Sequence, residues 1–331
     1  MSEENRPIVA FLGPQGSYTH QATLDAFNHS DYVISPQVTI EDVFTAVQSG
    51  DAYRGVIPFE NSSNGSVVFT LDLFADLHGK YPDILVCGES YVAVKHCLLG
   101  HAPSSETAST TFPAAVSPAR PIADISNVKR LYSHPQAWGQ CKEFLNTYLK
   151  HAERNDVSST SKAAELVAQD KSGESAALSS IIAADMFDLD VLAKTINDRV
   201  ENTTRFLVIR RKDSSTPPES IPSSPKSSAT TATNGEQRNW KTLITFTVDQ
   251  ANPGALAHCL SAFEKYGLNL TSINTRPSGV ENWNYVFFVE LKGRKEEEGE
   301  EGKVNGALGE LGRVCRGYRW LGSWENRLTA A

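Results

Sequence analysis

The residues best suited to chemistry lie in four short polar turns, each beside an apolar, strand-like segment. In Asn202-Thr203-Thr204-Arg205-Phe206, which leads into FLVIR, Arg205 offers a planar fork matched to a carboxylate and Thr204 offers a hydroxyl. In Glu60-Asn61-Ser62-Ser63-Asn64-Gly65-Ser66, after GVIPF, one carboxylate, two amides and three hydroxyls exceed what a turn requires. N-capping by Ser66 or Asn64 would account for one or two of these residues, not for seven. In Ser133-His134-Pro135-Gln136-Ala137-Trp138-Gly139-Gln140-Cys141, Ser133 followed by Gln136, with Pro135 between them, reads as a capping-box helix start. Gln140 lies one turn beyond Gln136, so Ser133, Gln136 and Gln140 can share a face at the positive helix end. His134 is either a base or a hydrogen-bonding loop residue. The fourth turn, GPQGSYTH at 13–20, follows IVAFL and opens a helix, where glycines let backbone N–H groups approach an anion. It is neither G-x-G-x-x-G nor a P-loop, so nucleotide binding is not supported. Each turn alone has a plainer account as a tight turn, a cap or a surface arginine. Together they describe a polar, anion-accepting cleft that calls for no metal and no cofactor.

The elements that must hold these turns follow from hydrophobic periodicity. IVAFL precedes a helix over about 17–27, GVIPF one over about 67–77, and RLYS one running through about residue 150. That alternation predicts an α/β sheet with crossover helices. SYVAVKHCLL alternates without a long helix before it, as a chain entering a second sheet would, so two α/β lobes around a cleft are expected over 6–211. From 240 to 327 the order is strand TLITFTV, a helix over about 255–266, strands LTSINT and NYVFFVEL, a helix over about 304–315, and strand YRWLG. This is the β-α-β-β-α-β order of a ferredoxin-like unit. Between the two regions, 213–239 holds seven Ser, four Thr and four Pro, too little apolar surface to offset its ordering entropy. Residues 212–239 therefore read as a disordered linker, and each side of it is expected to keep its own fold.

Composition narrows the function. The 331 residues predict two or three folded units at roughly 150 per domain. With 31 basic against 39 acidic side chains the net charge is −8, which argues against a nucleic-acid or anionic-membrane binder. No apolar run approaches the roughly 18 residues of a membrane span, and MSEENRPIVAF is unlike a signal peptide, so a cytoplasmic protein is expected. The five cysteines are scattered and never form C-x-x-C, and none of the eight histidines has H-E-x-x-H spacing. Neither a disulfide framework nor a metal site is suggested.

FLGPQGSYTHQA, IPFENSSNGSV, SHPQAWGQC and NTTRF, in this order, closely resemble the prephenate dehydratase family. The C-terminal unit is similar to the ACT regulatory domain that follows the dehydratase module there, with Gly254-Ala255-Leu256 at its GAL position. The resemblance implies an α/β fold: a two-lobed, periplasmic-binding-protein-like catalytic region with a cleft, then the ferredoxin-like ACT domain. It also implies a lyase that converts prephenate to phenylpyruvate, with loss of water and carbon dioxide, in phenylalanine biosynthesis. By motif match, Thr204 would act on the leaving hydroxyl, directly or through a relay from Glu60 or His134. Arg205 would meet a substrate carboxylate with Phe206 packed beneath it, and Asn61, Ser62, Ser133 and Gln140 would line the cleft. L-Phenylalanine would bind between paired ACT copies of a homodimer or homotetramer, against Gly254, Ala255, Leu256, Leu268, Asn269, Asn274, Thr275 and Arg276. Where the family often has Glu-Ser-Arg-Pro this chain has Asn274-Thr275-Arg276-Pro277, so weaker effector binding is expected. A first strand at about Ile8 leads us to expect no fused chorismate mutase module. Arogenate as the substrate, and a non-catalytic dicarboxylate sensor, remain as alternatives.

Overall fold

The computed structural model describes residues 6–102, 119–199, 201–212, 239–279, 281–297 and 301–328. The expected linker, apart from Lys212 and Asn239, lies outside the described residues, as do residues 103–118. In chain order the elements begin β1 (Ile8–Leu12), α1 (Tyr18–Ala26), β2 (Val33–Gln37), α2 (Ile40–Ser49), β3 (Arg54–Asn61), β4 (Gly65–Ser66), α3 (Val68–Ala75) and β5 (Ile84–Ala93). They continue with β6 (Cys97–Gly100), β7 (Arg130–Ser133), α4 (Pro135–Gln140), α5 (Lys142–Tyr148), β8 (Glu153–Asp156), α6 (Thr160–Gln169), β9 (Ser175–Ser179), α7 (Ile181–Phe187), β10 (Asp190–Ala193) and β11 (Thr203–Arg211). After the linker come β12 (Trp240–Thr247), α8 (Ala255–Lys265), β13 (Leu270–Pro277), β14 (Tyr285–Lys292), α9 (Lys303–Val314) and β15 (Gly317–Glu325). Two compact units result: Met1–Leu12, Ala22–Tyr91 and Arg205–Ala331 form one, and Gly13–Gln21 with Val92–Thr204 the other.

In the first unit a sheet of order β2-β1-β3-β11-β5, with β4 beside β3, carries the Glu60 turn and the strand that begins at Thr203. Its covering helix α2 is locally well specified. Thr39 and Asp42 form a capping box, Gly50 closes the other end at φ 88°, and Val43, Phe44 and Val47 face inward. β3 lies close beneath it at Gly55, where a Cβ would stand 2.7 Å from Val43 Cγ1.

The C-terminal strands form a second sheet of order β13-β14-β12-β15, with β12 antiparallel to both its neighbours, as a ferredoxin-like unit requires. One face of this sheet, with Ile244, Phe246 and Val289, packs on Cys259 and Phe263 of α8 and Leu308 and Leu311 of α9. The other face, with Leu243, Val286, Phe288, Leu321 and Trp324, joins Phe44, Phe59, Phe74, Leu207 and Ile209 in one continuous core. Both faces are therefore buried, which is why YVFFVEL reads as a nearly unbroken apolar run. Residues from both sides of the expected linker thus meet in a shared core. Arg319 of β15 fastens the same junction by donating to the carbonyls of Tyr81, Pro82 and Ile84 at 2.6, 3.1 and 3.2 Å.

Gly322 marks the tightest approach at this junction. At φ 133°, a Cβ there would meet the Val86 carbonyl oxygen at 2.1 Å, and a backbone atom cannot swing aside as a side chain would. Gly322→Ala should therefore destabilise the protein by about 2–3 kcal/mol. A urea midpoint unchanged from the parent would show that β15 and β5 do not approach so closely.

The second unit holds a five-stranded sheet of order β10-β6-β9-β7-β8. β7 runs parallel to β8 and β9, and β6 antiparallel to β9. SYVAVKHCLL is divided as expected: β5 ends at Ala93 in one sheet and β6 begins at Cys97 in the other. The helix expected to run through residue 150 is instead broken at Cys141 (φ −130°) into α4 and α5. Asp198 accepts from the amides of Lys142 and Glu143, both at 2.9 Å, and so caps a new helix where the old one would have continued.

Candidate active site

β11 carries Thr204 and Arg205 side by side, and strand alternation turns them to opposite faces. Arg205 shares the face of Leu207 and Ile209, toward the C-terminal sheet. There its guanidinium is buried and taken up by carboxylates. Nε donates to Glu89 Oε2 at 2.9 Å, and Nη2 reaches Glu89 Oε2 at 2.7 Å and also donates to Glu290 Oε2. Lys241 completes a neutral quartet, with Nζ 3.4 Å from Glu89 and 3.5 Å from Glu290. Thr271 donates to Glu290 Oε1 at 2.6 Å and the Arg327 amide to Glu89 Oε1 at 2.9 Å. Burial by itself would raise the Glu89 pKa, but the Arg205 and Lys241 charges outweigh it and hold the carboxyl below its usual range. Burial works against the Arg205 charge too, and Glu290 and Glu89 outweigh it, pushing its pKa up. The Arg205 guanidinium, expected to meet a substrate carboxylate, is bonded here to two carboxylates of its own chain. The rings nearest the guanidinium are Phe59, Tyr91 and Trp324, at 5.4–5.9 Å. Phe206, fully buried on the opposite face, is not beneath it.

The Glu60 turn is a two-strand ribbon, Glu60 opposite Ser66 and Asn61 opposite Gly65. Asn61 Oδ1 accepts from the amides of Ser63 and Asn64, both at 3.0 Å, and shapes the turn. Glu60 is half-buried and Ser62 exposed. Neither Ser66 nor Asn64 caps the next helix, whose N-cap is Val67 without a side-chain bond. Ser66 instead donates to Asn274 Oδ1 at 2.8 Å.

In the second unit the 13–20 turn satisfies itself. The Gly16 amide donates to His20 Nδ1 at 3.1 Å, the Ser17 amide to the Pro14 carbonyl at 3.3 Å, and the His20 amide to Ser17 Oγ at 3.2 Å. Ser180 donates to the Gly16 carbonyl at 2.9 Å, and Ser161 to that of Gln15. The Gly16 amide, one of the backbone donors expected to approach an anion, is therefore already in use. At the end of β7, Ser133 is fully buried and donates to the Leu178 carbonyl at 2.9 Å. The N-cap of α4 is His134, not Ser133: its Nδ1 accepts from the Gln136 amide at 3.3 Å. Gln140 closes α4, and its Oε1 lies 2.8 Å from Nε2 of His96, a buried residue that the sequence reading passed over. His96 Nδ1 in turn lies 3.1 Å from the Tyr18 hydroxyl. Burial pushes the His96 pKa down, against the bond to Gln140, and pushes that of Tyr18 up. Both are neutral near pH 7. Thr204 is half-buried, two residues beyond Asn202, whose carbonyl accepts from the Val94 amide at 2.7 Å.

The residues proposed for an effector occupy different elements. Gly254 (φ 81°) precedes α8, which opens with Ala255 and Leu256, while Leu268 belongs to the core under that helix. Asn269 is exposed and its carbonyl accepts from Lys292, and Asn274, Thr275 and Arg276 lie on the edge strand β13. Asn274 and Arg276 engage their side chains within the chain: Asn274 with Ser66 and Ser272, and Arg276 with Asp72 at 2.5 and 3.1 Å. Among the described residues no helix is long and apolar enough to cross a membrane.

Comparison with known proteins places this arrangement. A bifunctional chorismate mutase/prephenate dehydratase of Aquifex aeolicus is 36% identical over 328 residues, 99% of this chain and 76% of that protein. A probable prephenate dehydratase of Saccharomyces cerevisiae is 31% identical over 314 residues, 85% of this chain and 86% of its own length. The crystal structure of a prephenate dehydratase from Arthrobacter aurescens in complex with L-Phe superposes with a TM-score of 0.75 at 26% identity, covering 98% of this chain and 92% of that one. Residues 9–214, which contain all four polar turns, match the family described as prephenate dehydratase, and the chain belongs to that family.

Proposed function

We propose that this chain is a carbon–oxygen lyase that converts prephenate to phenylpyruvate, water and carbon dioxide in L-phenylalanine biosynthesis. The observation that carries the reading is the family match across 9–214, which takes in every polar turn singled out on chemical grounds. In this reaction the bond from the ring to its carboxylate breaks and its electron pair enters the ring. The hydroxyl at the far side leaves with a proton as water, and the ring becomes aromatic. The driving force lies in the substrate, so placed donors suffice. Thr204 donates to the departing oxygen, with Glu60 or His134 as the source of a relayed proton. Asn61, Ser62, Ser133 and Gln140 hold the substrate.

Engaging Arg205 with Glu89 and Glu290 rather than with the ring carboxylate suits this chemistry. A cation paired with the ring carboxylate would stabilise charge in the ground state that is lost in the transition state, and so would slow decarboxylation. Neutral donors hold the group without that penalty.

The test is turnover by the purified full chain, with prephenate and arogenate compared at equal concentration. Phenylpyruvate released from prephenate supports the reading. Preference for arogenate would change the substrate, and tight prephenate binding without turnover would make the chain a sensor. We further propose that L-phenylalanine binds the ferredoxin-like part between paired copies of a cytoplasmic homodimer or homotetramer and inhibits. A titration of activity with L-phenylalanine, beside a mass measurement by light scattering, checks both points; unaltered activity or a monomer would reject them.

A further inference from the structure

The atoms that meet between His96 and Gln140 restrict which way the glutamine can face. Gln140 presents Oε1, an acceptor only, so His96 Nε2 must carry the hydrogen. Nδ1 of the neutral ring is then an acceptor, and the Tyr18 hydroxyl donates to it. The polarity runs one way, from Tyr18 O–H to Nδ1, and from Nε2–H to Gln140 Oε1. The backbone of the same two residues is strapped down by one segment. Ile196 donates to the His96 carbonyl at 2.9 Å, His96 to Asn197 Oδ1 at 2.6 Å, and Asp198 to the Gln140 carbonyl at 2.8 Å. His96 is 3% exposed, whereas Gln140 is only half-buried.

We propose that His96, oriented by Tyr18, is a positioning residue that makes Gln140 a donor to substrate. With its oxygen turned to His96, the Gln140 amide directs its NH₂ group away from the histidine, and so favours an acceptor there: a carboxylate, a carbonyl or the leaving hydroxyl. This rests on the dehydratase reading, in which Gln140 lines the substrate site.

A glutamine at 96 can place its amide nitrogen near the position of Nε2, whereas an asparagine reaches only the position of Nδ1. His96→Gln should therefore stay within about threefold of the parent in kcat/KM, while His96→Asn should lose about tenfold. In a Gln140→Ala background His96→Asn should cost nothing more. Equal damage from the two His96 variants, or an undiminished His96→Asn loss in the Gln140→Ala chain, would overturn the proposal. An arm independent of activity is ¹⁵N NMR of the parent ring, where an Nε2–H tautomer is expected and an Nδ1–H tautomer would refute it. Tyr18→Phe removes the hydroxyl donor without altering residue 96 and should lower kcat/KM a few-fold, an effect that should vanish in the Gln140→Ala chain; an effect undiminished there would exclude Tyr18 from the orienting chain. Absence of prephenate turnover in the parent chain would count against the functional reading, and the tautomer would then decide the orientation by itself.

Discussion

Thr204→Ala should fold as the parent does and lose about 10²- to 10³-fold in prephenate turnover, the usual consequence of removing one donor aimed at charge developing on a leaving oxygen. Two structural features make this a clean test. Thr204 is half-buried near the start of β11, and the substitution removes only a hydroxyl and a methyl group, so it opens no large cavity. The next residue, Arg205, is held by two carboxylates, so the backbone at 204 is kept in place when the side chain is shortened. The loss should appear in kcat and kcat/KM alike, because the interaction forms mainly in the transition state. Nearly parental turnover would remove Thr204 from the mechanism. A loss confined to KM would make it a binding group only.

The second large effect concerns stability. Glu290→Gln keeps the shape of the side chain but leaves the quartet of Glu89, Arg205, Lys241 and residue 290 with one uncompensated positive charge. The ionic side chains are almost inaccessible, at 7% for Arg205, 6% for Lys241, 3% for Glu290 and 0% for Glu89. Removing one partner of such a cluster costs about 3–5 kcal/mol, far more than a surface pair, because the charge left behind has neither water nor a counter-ion. The urea midpoint of the full chain should fall accordingly, and adding Lys241→Met, which restores neutrality, should recover part of the loss. A midpoint unmoved by Glu290→Gln would mean that Glu290 does not hold Arg205. The cluster also sets a direction with pH. The folded-state pKa of Glu89 is depressed, so its contribution is complete above the ordinary carboxylate pKa and is lost as pH falls through the lowered value. Because Glu290 and Lys241 come from the C-terminal sheet, deleting that sheet would strip Arg205 of one carboxylate and uncover Phe59 and Leu207 together. Loss of regulation with activity intact is therefore the expected result of a nick in the linker only if the two pieces stay associated.

Much of the architecture was legible in the sequence because periodicity is a local property. IVAFL, RLYS and the six C-terminal elements fall within about three residues of where apolar spacing puts them. Residues 31–50 show the opposite outcome. β2 and α2 were not anticipated, although Thr39 with Asp42 and a later Gly50 are helix boundary signals of the ordinary kind. The break at Cys141 had no local signal, since Asp198, which makes it, lies 56 residues from Lys142.

The four turns could be found because polar residues crowded between apolar runs stand out without any knowledge of the fold. What each side chain does there could not be found in the same way. Reading NTTRFLVIR as a strand already implied that Thr204 and Arg205 face opposite sides, but not what lay on the far side. The partners of Arg205 are 116 and 85 residues away in sequence, and those of His96 are 78 and 44. The sequence by itself determined the inventory of donors, the strands that carry them and the family to which they belong. Only the tertiary structure decided that the Arg205 guanidinium lies against Glu89 and Glu290, and that a buried histidine lies against Gln140. Charge and hydrogen-bonding capacity are properties of a residue, whereas the partner that consumes them is chosen by which faces of distant elements are packed together.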